Sequence, residues 1–217
     1  MALVYHRELD EDNFFSIWQI EEDRDTLLRR LQLDEEERER LHSLRKGKRT
    51  LHWLATRVLL RHMLKTDEFI ECPSDEHGKP YLVGYPYSIS LTHSFDYAAV
   101  MLSKTSACGI DIEKIKDTVL RIKHKFLKPE ELTFINNDEN EREMLYACWC
   151  AKEAVYKLQG KKGVSFRRDM TILPFNYTSQ GTLRLRLNHF ENGEVNYTVY
   201  YERFKEYMLG YVHENLD

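Results

Sequence analysis

The chain has 217 residues, which suffice for one sizeable domain or two small ones, and its 42% hydrophobic content is typical of globular rather than disordered proteins. A formal net charge of −4 gives no global attraction to nucleic acid, although the segment 40–66 carries eight Lys or Arg residues and no Asp or Glu. The four cysteines contain no CxxC pair, so we expect free thiols. The sequence has no apolar signal core and no stretch near the roughly 20 apolar residues of a membrane span, so we expect a cytoplasmic protein without membrane contact.

Two helices and two strands are predicted in the first half. The first helix begins at Asp34, where three glutamates follow and complement the helix dipole, and it runs to about Lys46. The second helix covers 48–64, with apolar residues at helical spacing on one side and arginines on the other. Alternating residues then predict strands over 87–92 and 97–102.

The second half begins after a short link at 104–108, which we take as the boundary between domains 1–105 and 106–217. A strand over 109–113 is followed by a long helix over 139–159, whose core stripe steps by four and three residues. Antiparallel strands follow, with a hairpin turn at Asn192–Gly193 and a last strand over 207–212.

The first candidate site is the segment Gly109-Ile110-Asp111-Ile112-Glu113. On a strand, Asp111 and Glu113 project from the same face, and neighbouring carboxylates repel unless a cation or proton lies between them. Hard oxygen ligands favour Mg²⁺ or Mn²⁺ over zinc. The alternative is an edge strand with a solvated acidic face.

The second candidate is the long helix, where Trp149, Glu153 and Lys157 lie four residues apart and share a face. Glu153 is a candidate third metal ligand and Lys157 a candidate phosphate ligand, with Lys152 close by. The alternative is an ordinary Glu–Lys pair beside a packed tryptophan.

Three weaker features could bind phosphate. Thr92-His93-Ser94 ends a strand, and Gly78-Lys79-Pro80 forms a turn with an ammonium group. Arg49 belongs to the basic helix. The alternatives are a structural histidine, an ordinary turn and a solvated surface, respectively. Nucleic-acid binding is a competing function for the basic segment 40–66, although no nucleic-acid-binding motif accompanies it.

In this order, the features resemble the 4'-phosphopantetheinyl transferase superfamily, and within it the longer, Sfp-type members. The G-[IV]-D-[IV]-E strand and the W-x-x-K-E-A-x-x-K helix of that family match 109–113 and 149–157 without mismatch. The G-K-P element matches 78–80, the S-H-S element matches 92–94 with Thr for the first Ser, and 126–131 resembles F-[FL]-S-x-x-E with Lys128 for Ser. The resemblance covers about 34–163, and the C-terminal third carries no motif.

The resemblance implies an α+β fold of two similar halves related by a pseudo-twofold axis, with the active site in the cleft between them. It implies that Asp111, Glu113 and Glu153 coordinate Mg²⁺ against the pyrophosphate of coenzyme A. The implied phosphate ligands are Lys157, Lys152, Arg49, Lys79, His93 and Thr92, and Glu131 would lie near the site and assist deprotonation.

The implied reaction transfers 4'-phosphopantetheine from coenzyme A to a serine of an apo acyl or peptidyl carrier protein and releases 3',5'-ADP. Glu153, Glu131 or a metal-bound water could take the serine proton, and the sequence does not choose. We expect a monomer, with the basic stretch near 40–61 helping to dock an acidic carrier and with no nucleic-acid partner. The alternatives are a non-catalytic coenzyme A or nucleotide binder with a degenerate site, and a nucleic-acid-binding module.

Overall fold

A computed structural model describes residues 3–44, 47–136, 139–189 and 193–213. Within these ranges the chain forms nine strands and seven helices, which confirms the predicted α+β class. The strands are β1 (Leu3–Glu8), β2 (Asn13–Gln19), β3 (Ser88–Ser94), β4 (Tyr97–Ser103), β5 (Cys108–Lys114), β6 (Met170–Ile172), β7 (Gln180–His189), β8 (Gly193–Phe204) and β9 (Tyr207–His213). The helices are α1 (Arg24–Leu28), α2 (Glu35–Ser43), α3 (Lys48–Leu64), α4 (Thr118–Phe126), α5 (Pro129–Leu132), α6 (Glu141–Gln159) and α7 (Phe166–Asp169).

The first sheet has the antiparallel order β1-β2-β4-β3, and α3 packs on one of its faces. Helix α3 has its predicted bounds, and Asp34 caps α2 by accepting a hydrogen bond from the Glu37 amide at 2.8 Å. Helix α2 ends at Ser43, earlier than predicted, because the backbone of Leu44 is extended. Residues 45 and 46 of the predicted extension lie outside the described residues. Strands β1 and β2 were not predicted, because β2 is buried on both faces and its nearly continuous apolar run shows no alternation.

The second sheet has the antiparallel order β5-β9-β8-β7-β6, with α6 lying against it. The predicted stripe along α6 is confirmed, since its members are all buried: Met144, Cys148, Ala151, Val155 and Leu158. Helix α6 begins two residues later than predicted, at Glu141. Strands β7 and β8 pair as expected, while Asn192 of the predicted turn lies outside the described residues.

The two sheets meet where β3 faces β5. Three hydroxyl groups on one face of β3 accept hydrogen bonds from backbone amides of β5: Ser90 from Ile110 at 3.0 Å, Thr92 from Ile112 at 3.3 Å and Ser94 from Lys114 at 3.3 Å. Apolar side chains of both sheets form a shared core here, including Phe15, Met101, Ile110, Ile112 and Leu209. The acidic segment of β5 therefore lies at the junction of the sheets.

The structure does not test the division into domains at 105/106 or the pseudo-twofold axis, and both stay predictions. All four cysteines are free thiols, as expected from their spacing. None of the described helices is long and apolar enough to cross a membrane.

Candidate active site

Glycines let α6 lie directly on the second sheet. A Cβ atom on Gly109 would lie 1.9 Å from the carbonyl oxygen of Ala154, and one on Gly210 would lie 2.8 Å from the backbone of Cys150. Both contacts are too close for a side chain, so α6 depends on these glycines for its position. The glycine that opens the β5 motif is therefore required by packing, and the packing brings Glu153 and Lys157 to the carboxylates of β5.

Asp111 is the most enclosed of the three carboxylates, with 4% of its surface exposed. Its Oδ1 accepts hydrogen bonds from the Thr92 hydroxyl at 2.9 Å and from the Lys157 ammonium at 2.7 Å. Its Oδ2 is buried and has no hydrogen-bond partner among the described residues. A buried carboxylate oxygen without a partner is costly, and it is the type of atom that a cation would satisfy.

Glu113 and Glu153 share this negatively charged environment. Burial first, and then the charge on Asp111, raises the pKa of each to about 7, while the charge on Lys157 acts in the opposite direction. Ser94 donates a hydrogen bond to Glu113 at 2.7 Å. The carboxylates therefore hold protons more readily than usual, which means that the site favours added positive charge.

The donor set fits a hard divalent cation in its chemistry, since it offers carboxylate oxygens and one of them lacks a partner. Among the residues that the structure describes, no three His, Cys, Asp or Glu side chains are already arranged to hold a metal ion. Lys157 instead supplies the positive charge next to Asp111. Coordination by Asp111, Glu113 and Glu153 thus stays a prediction that requires their side chains to converge.

A basic groove leads away from Lys157, which pairs with Asp111. It consists of two adjoining cavities of about 330 and 240 Å³ that share Gly78, Pro80 and Leu91. The larger cavity is lined by Arg40, Arg49, Arg57 and His93 among others, and the smaller one by Lys79, Tyr156 and Lys157 among others. The structure therefore brings Arg49 and His93 together at one end, with Lys157 at the other.

Arg40 and Arg57 also line the groove, whereas the sequence analysis predicted only a carrier-docking role for the basic stretch that contains them. Arg57 covers the Trp53 ring at 3.8 Å and pairs with Glu37 at 3.0 Å. Arg57 lies eight residues after Arg49 on α3, so both residues belong to the arginine side of that helix. This spacing could have identified Arg57 as a candidate site residue from the sequence. Arg40 comes from α2, and only the packing of α2 against α3 brings it here.

His93 acts as a neutral group in this groove. Its ring stacks on His52 with the centroids 4.3 Å apart, and burial, followed by the charges of His52 and Lys157, lowers its pKa to about 4. At neutral pH it therefore offers a hydrogen bond to a phosphate but no charge.

Lys79 contacts the end of α6. Its ammonium donates to the carbonyl oxygen of Leu158 at 2.6 Å, and its aliphatic stem passes Gly160, where a Cβ would lie 2.6 Å from Lys79 Cδ. A cation is favourable at a helix C-terminus. Lys79 thus joins the loop around 72–80 to α6 while also lining the smaller cavity.

The structure does not bring Lys152 and Glu131 to the carboxylate group, so it does not support the phosphate contact predicted for Lys152 or the role in deprotonation predicted for Glu131. Both side chains have 0% exposure and form an ion pair at 2.8 Å. Lys152 also donates to the carbonyl oxygens of Phe126 and Phe166, and Glu131 accepts from the amide of Ile172. Side chains without exposed surface cannot touch coenzyme A or a carrier, so this pair ties α6 to the segments around it.

The burial of Lys152 could have been predicted from the sequence. It lies four residues after Cys148 and three before Val155, which places it within the buried stripe of α6. Trp149 also packs internally, with its ring centroid 5.0 Å from that of Phe126 and 5.8 Å from that of Phe166. The predicted face of α6 thus presents Glu153 and Lys157 to the site, whereas Trp149 anchors the helix.

Comparison with known proteins agrees with the resemblance. Residues 107–212 match the family model described as the 4'-phosphopantetheinyl transferase superfamily, a match that includes the C-terminal third. The chain is 36% identical to a putative 4'-phosphopantetheinyl transferase of Haemophilus influenzae over 39% of this chain and 38% of the relative. It is 31% identical to 4'-phosphopantetheinyl transferase psf-1 of Bacillus pumilus over 68% of this chain and 64% of the relative.

A further relative is the 4'-phosphopantetheinyl transferase AcpT of Escherichia coli, 32% identical over 52% of this chain and 60% of the relative. The matches thus span 38% to 64% of the length of these three relatives. The family model, the relatives and the α+β fold agree with one another, and the chain belongs to the 4'-phosphopantetheinyl transferase superfamily.

Proposed function

We propose that the chain transfers 4'-phosphopantetheine from coenzyme A to a serine of an apo acyl or peptidyl carrier protein and releases 3',5'-ADP, with Mg²⁺ or Mn²⁺ as the metal. The observation that carries this proposal is the carboxylate group of Asp111, Glu113 and Glu153, which Lys157 connects to a groove lined by arginines at its far end. A donor with a pyrophosphate and a 3'-phosphate needs positive charge at two separated points, and the groove offers Arg49 at one end and Lys157 at the other.

In this proposal the three carboxylates hold the cation. When bound, it would neutralise the charge of the pyrophosphate and stabilise the 5'-phosphate of the leaving 3',5'-ADP. Thr92 and Ser94 orient the carboxylates through their hydroxyl groups. Lys157 releases Asp111 and turns its ammonium to the phosphates, a change supported by its half-exposed position beside the groove.

The donor binds along the groove. Arg49 and Arg40 contact the 3'-phosphate, and neutral His93 adds a hydrogen bond. Positioning of the donor and neutralisation of its charge supply most of the rate enhancement, as in phosphoryl transfer generally.

The serine proton passes to Glu153, to Glu113 or to water held among the carboxylates. Glu131 is a poor candidate, because it is enclosed and already accepts hydrogen bonds from Lys152 and two backbone amides. All of these groups come from one chain, so we further propose that the protein acts as a monomer. We also propose that it acts in the cytoplasm.

The test is the mass of the acceptor. Apo carriers of the fatty-acid, polyketide and nonribosomal-peptide classes are incubated with the protein, coenzyme A and Mg²⁺, with a Ser→Ala carrier as the control. We expect one phosphopantetheine group on at least one carrier and none when EDTA is present. Unchanged mass for every carrier would contradict the proposal.

A companion variant separates an enzyme from a coenzyme A binder with a degenerate site. Glu153→Gln should abolish transfer while coenzyme A still binds in the groove. A binder would give no product with either form, and its coenzyme A affinity would be the same in both.

A further inference from the structure

Phe95 is an exposed aromatic residue in an unusual backbone conformation. It lies in the turn between β3 and β4, 39% of its surface is exposed, and its φ is 51°. Positive φ is a genuine outlier for a bulky residue and occurs where the surrounding structure enforces it, often at functional sites. Here His52 Nε2 bonds the Phe95 carbonyl oxygen at 2.8 Å, and the Asp96 carbonyl oxygen accepts from the Ile20 amide at 2.8 Å.

Three ammonium groups surround the Phe95 ring. The Nζ of Lys116 lies 3.4 Å from the ring centroid, that of Lys48 5.3 Å and that of Lys114 5.8 Å. The lysines come from the start of α3, the end of β5 and the loop that follows it, so several segments of the fold converge on this ring. We call these four residues the Phe95 platform.

The charge of the platform is only partly balanced. Lys48 lies 3.9 Å from Asp96 and Lys114 lies 3.4 Å from Glu206, and both carboxylates are more than half exposed, so these ion pairs are weak. Lys116 forms no ion pair with any residue that the structure describes. The platform therefore presents an apolar ring with an excess of positive charge around it.

The platform adjoins the carboxylate group. Ser94, the residue before Phe95, donates to Glu113, and Lys114 directly follows Glu113 on β5. The Phe95 ring is therefore one residue along the chain from a side chain that contacts Glu113, which places the platform near the point where an acceptor hydroxyl would react.

We propose that the Phe95 platform docks the carrier protein, with the ring contacting an apolar side chain near the acceptor serine and the lysines contacting carboxylates around it. This inference rests on the proposed function and names the surface that the acceptor uses. An aromatic ring and lysines could also bind a single-stranded nucleic acid. The platform lies beside the carboxylate group, where the acceptor serine has to react, which favours the carrier.

The experiment measures steady-state kinetics of transfer with Phe95→Ala. An apolar anchor at the centre of an interface commonly contributes enough that we expect KM for the carrier to rise about tenfold. The KM for coenzyme A and kcat should stay within about twofold, since Phe95 does not line the groove, and Phe95→Leu should restore most of the carrier affinity. Phe69→Ala is the matched control, because Phe69 is also exposed, at 36%, and lies outside the platform.

A charge variant tests the lysines. Lys116→Gln should raise KM for the carrier about threefold and reduce its dependence on salt concentration. Binding of a labelled Ser→Ala carrier, measured by fluorescence anisotropy with the same variants, reports docking without transfer.

Equal carrier affinity for Phe95→Ala and Phe69→Ala would overturn the inference, and so would a rise in KM for coenzyme A as large as that for the carrier. Competition by a single-stranded oligonucleotide whose binding is lost in Phe95→Ala would assign the platform to nucleic acid. Carriers that bind through Phe95 but are never modified would refute the proposed function and retain the platform.

Discussion

Gly109→Ala is the substitution that most directly couples the fold to the site. The new Cβ would lie 1.9 Å from the carbonyl oxygen of Ala154, and about 3.3 Å is needed for a carbon–oxygen contact, so α6 must move by about 1.4 Å. The same shift would lengthen the 2.7 Å contact between Lys157 and Asp111 by at most about 1.4 Å. Overpacking of this kind costs about 2–3 kcal/mol, which lowers Tm by about 4–12 °C, and a misplacement of about 1 Å reduces activity about 100-fold.

The assay combines thermal unfolding with transfer kinetics measured well below Tm. Gly84→Ala is the control, because its φ of 79° imposes a cost of about 1–2 kcal/mol while no atom lies within 4 Å of the new Cβ. It should lower Tm and leave kcat unchanged. If Gly109→Ala retained full kcat, or lost no more activity than Gly84→Ala, the position of α6 would not control the site.

Two further predictions follow from buried charges. Between pH 4.5 and about 7, Glu113 and Glu153 hold more protons in the folded protein than in the unfolded chain, because their pKa values are raised. The lowered pKa of His93 acts in the opposite direction, but it is one group against two, so the free energy of unfolding should fall as pH rises through this window. Urea denaturation in EDTA should give a lower free energy of unfolding at pH 8 than at pH 5, and Mg²⁺ should restore it at pH 8. Equal free energies of unfolding at the two pH values in EDTA would contradict the prediction. Lys152→Met should cost about 3–5 kcal/mol in the same assay, because the Glu131 carboxylate would stay buried without its ion-pair partner. Adding Glu131→Gln should recover part of this cost, and no recovery would argue against the pairing.

Local patterns predicted the elements that carry the site. The bounds of α3 and the core stripe of α6 followed from helical periodicity, and β5 followed from strict alternation around Asp111. Same-face spacing also placed Glu153 and Lys157 toward the site, because four residues make about one helical turn.

Contacts between distant segments could not be predicted from these patterns. The hydroxyl groups of β3 that hold Asp111 and Glu113 come from the other sheet, and the basic groove needs Arg40 from α2 beside α3. The roles expected for Lys152 and Glu131 followed from the family motif, whereas their burial depends on how α4, α5 and β6 enclose them.

The most direct test of the account is the binding of Mn²⁺ in the presence of coenzyme A, followed by electron paramagnetic resonance of the free ion. The account predicts one Mn²⁺ per chain, displaced by Mg²⁺, with affinity at least about tenfold weaker in Asp111→Ala and Glu153→Gln, since each variant removes a charged ligand. Both variants should remain folded. Unchanged Mn²⁺ affinity in both variants, or no bound Mn²⁺ in the wild type, would contradict the claim that these carboxylates hold a cation against the diphosphate of coenzyme A.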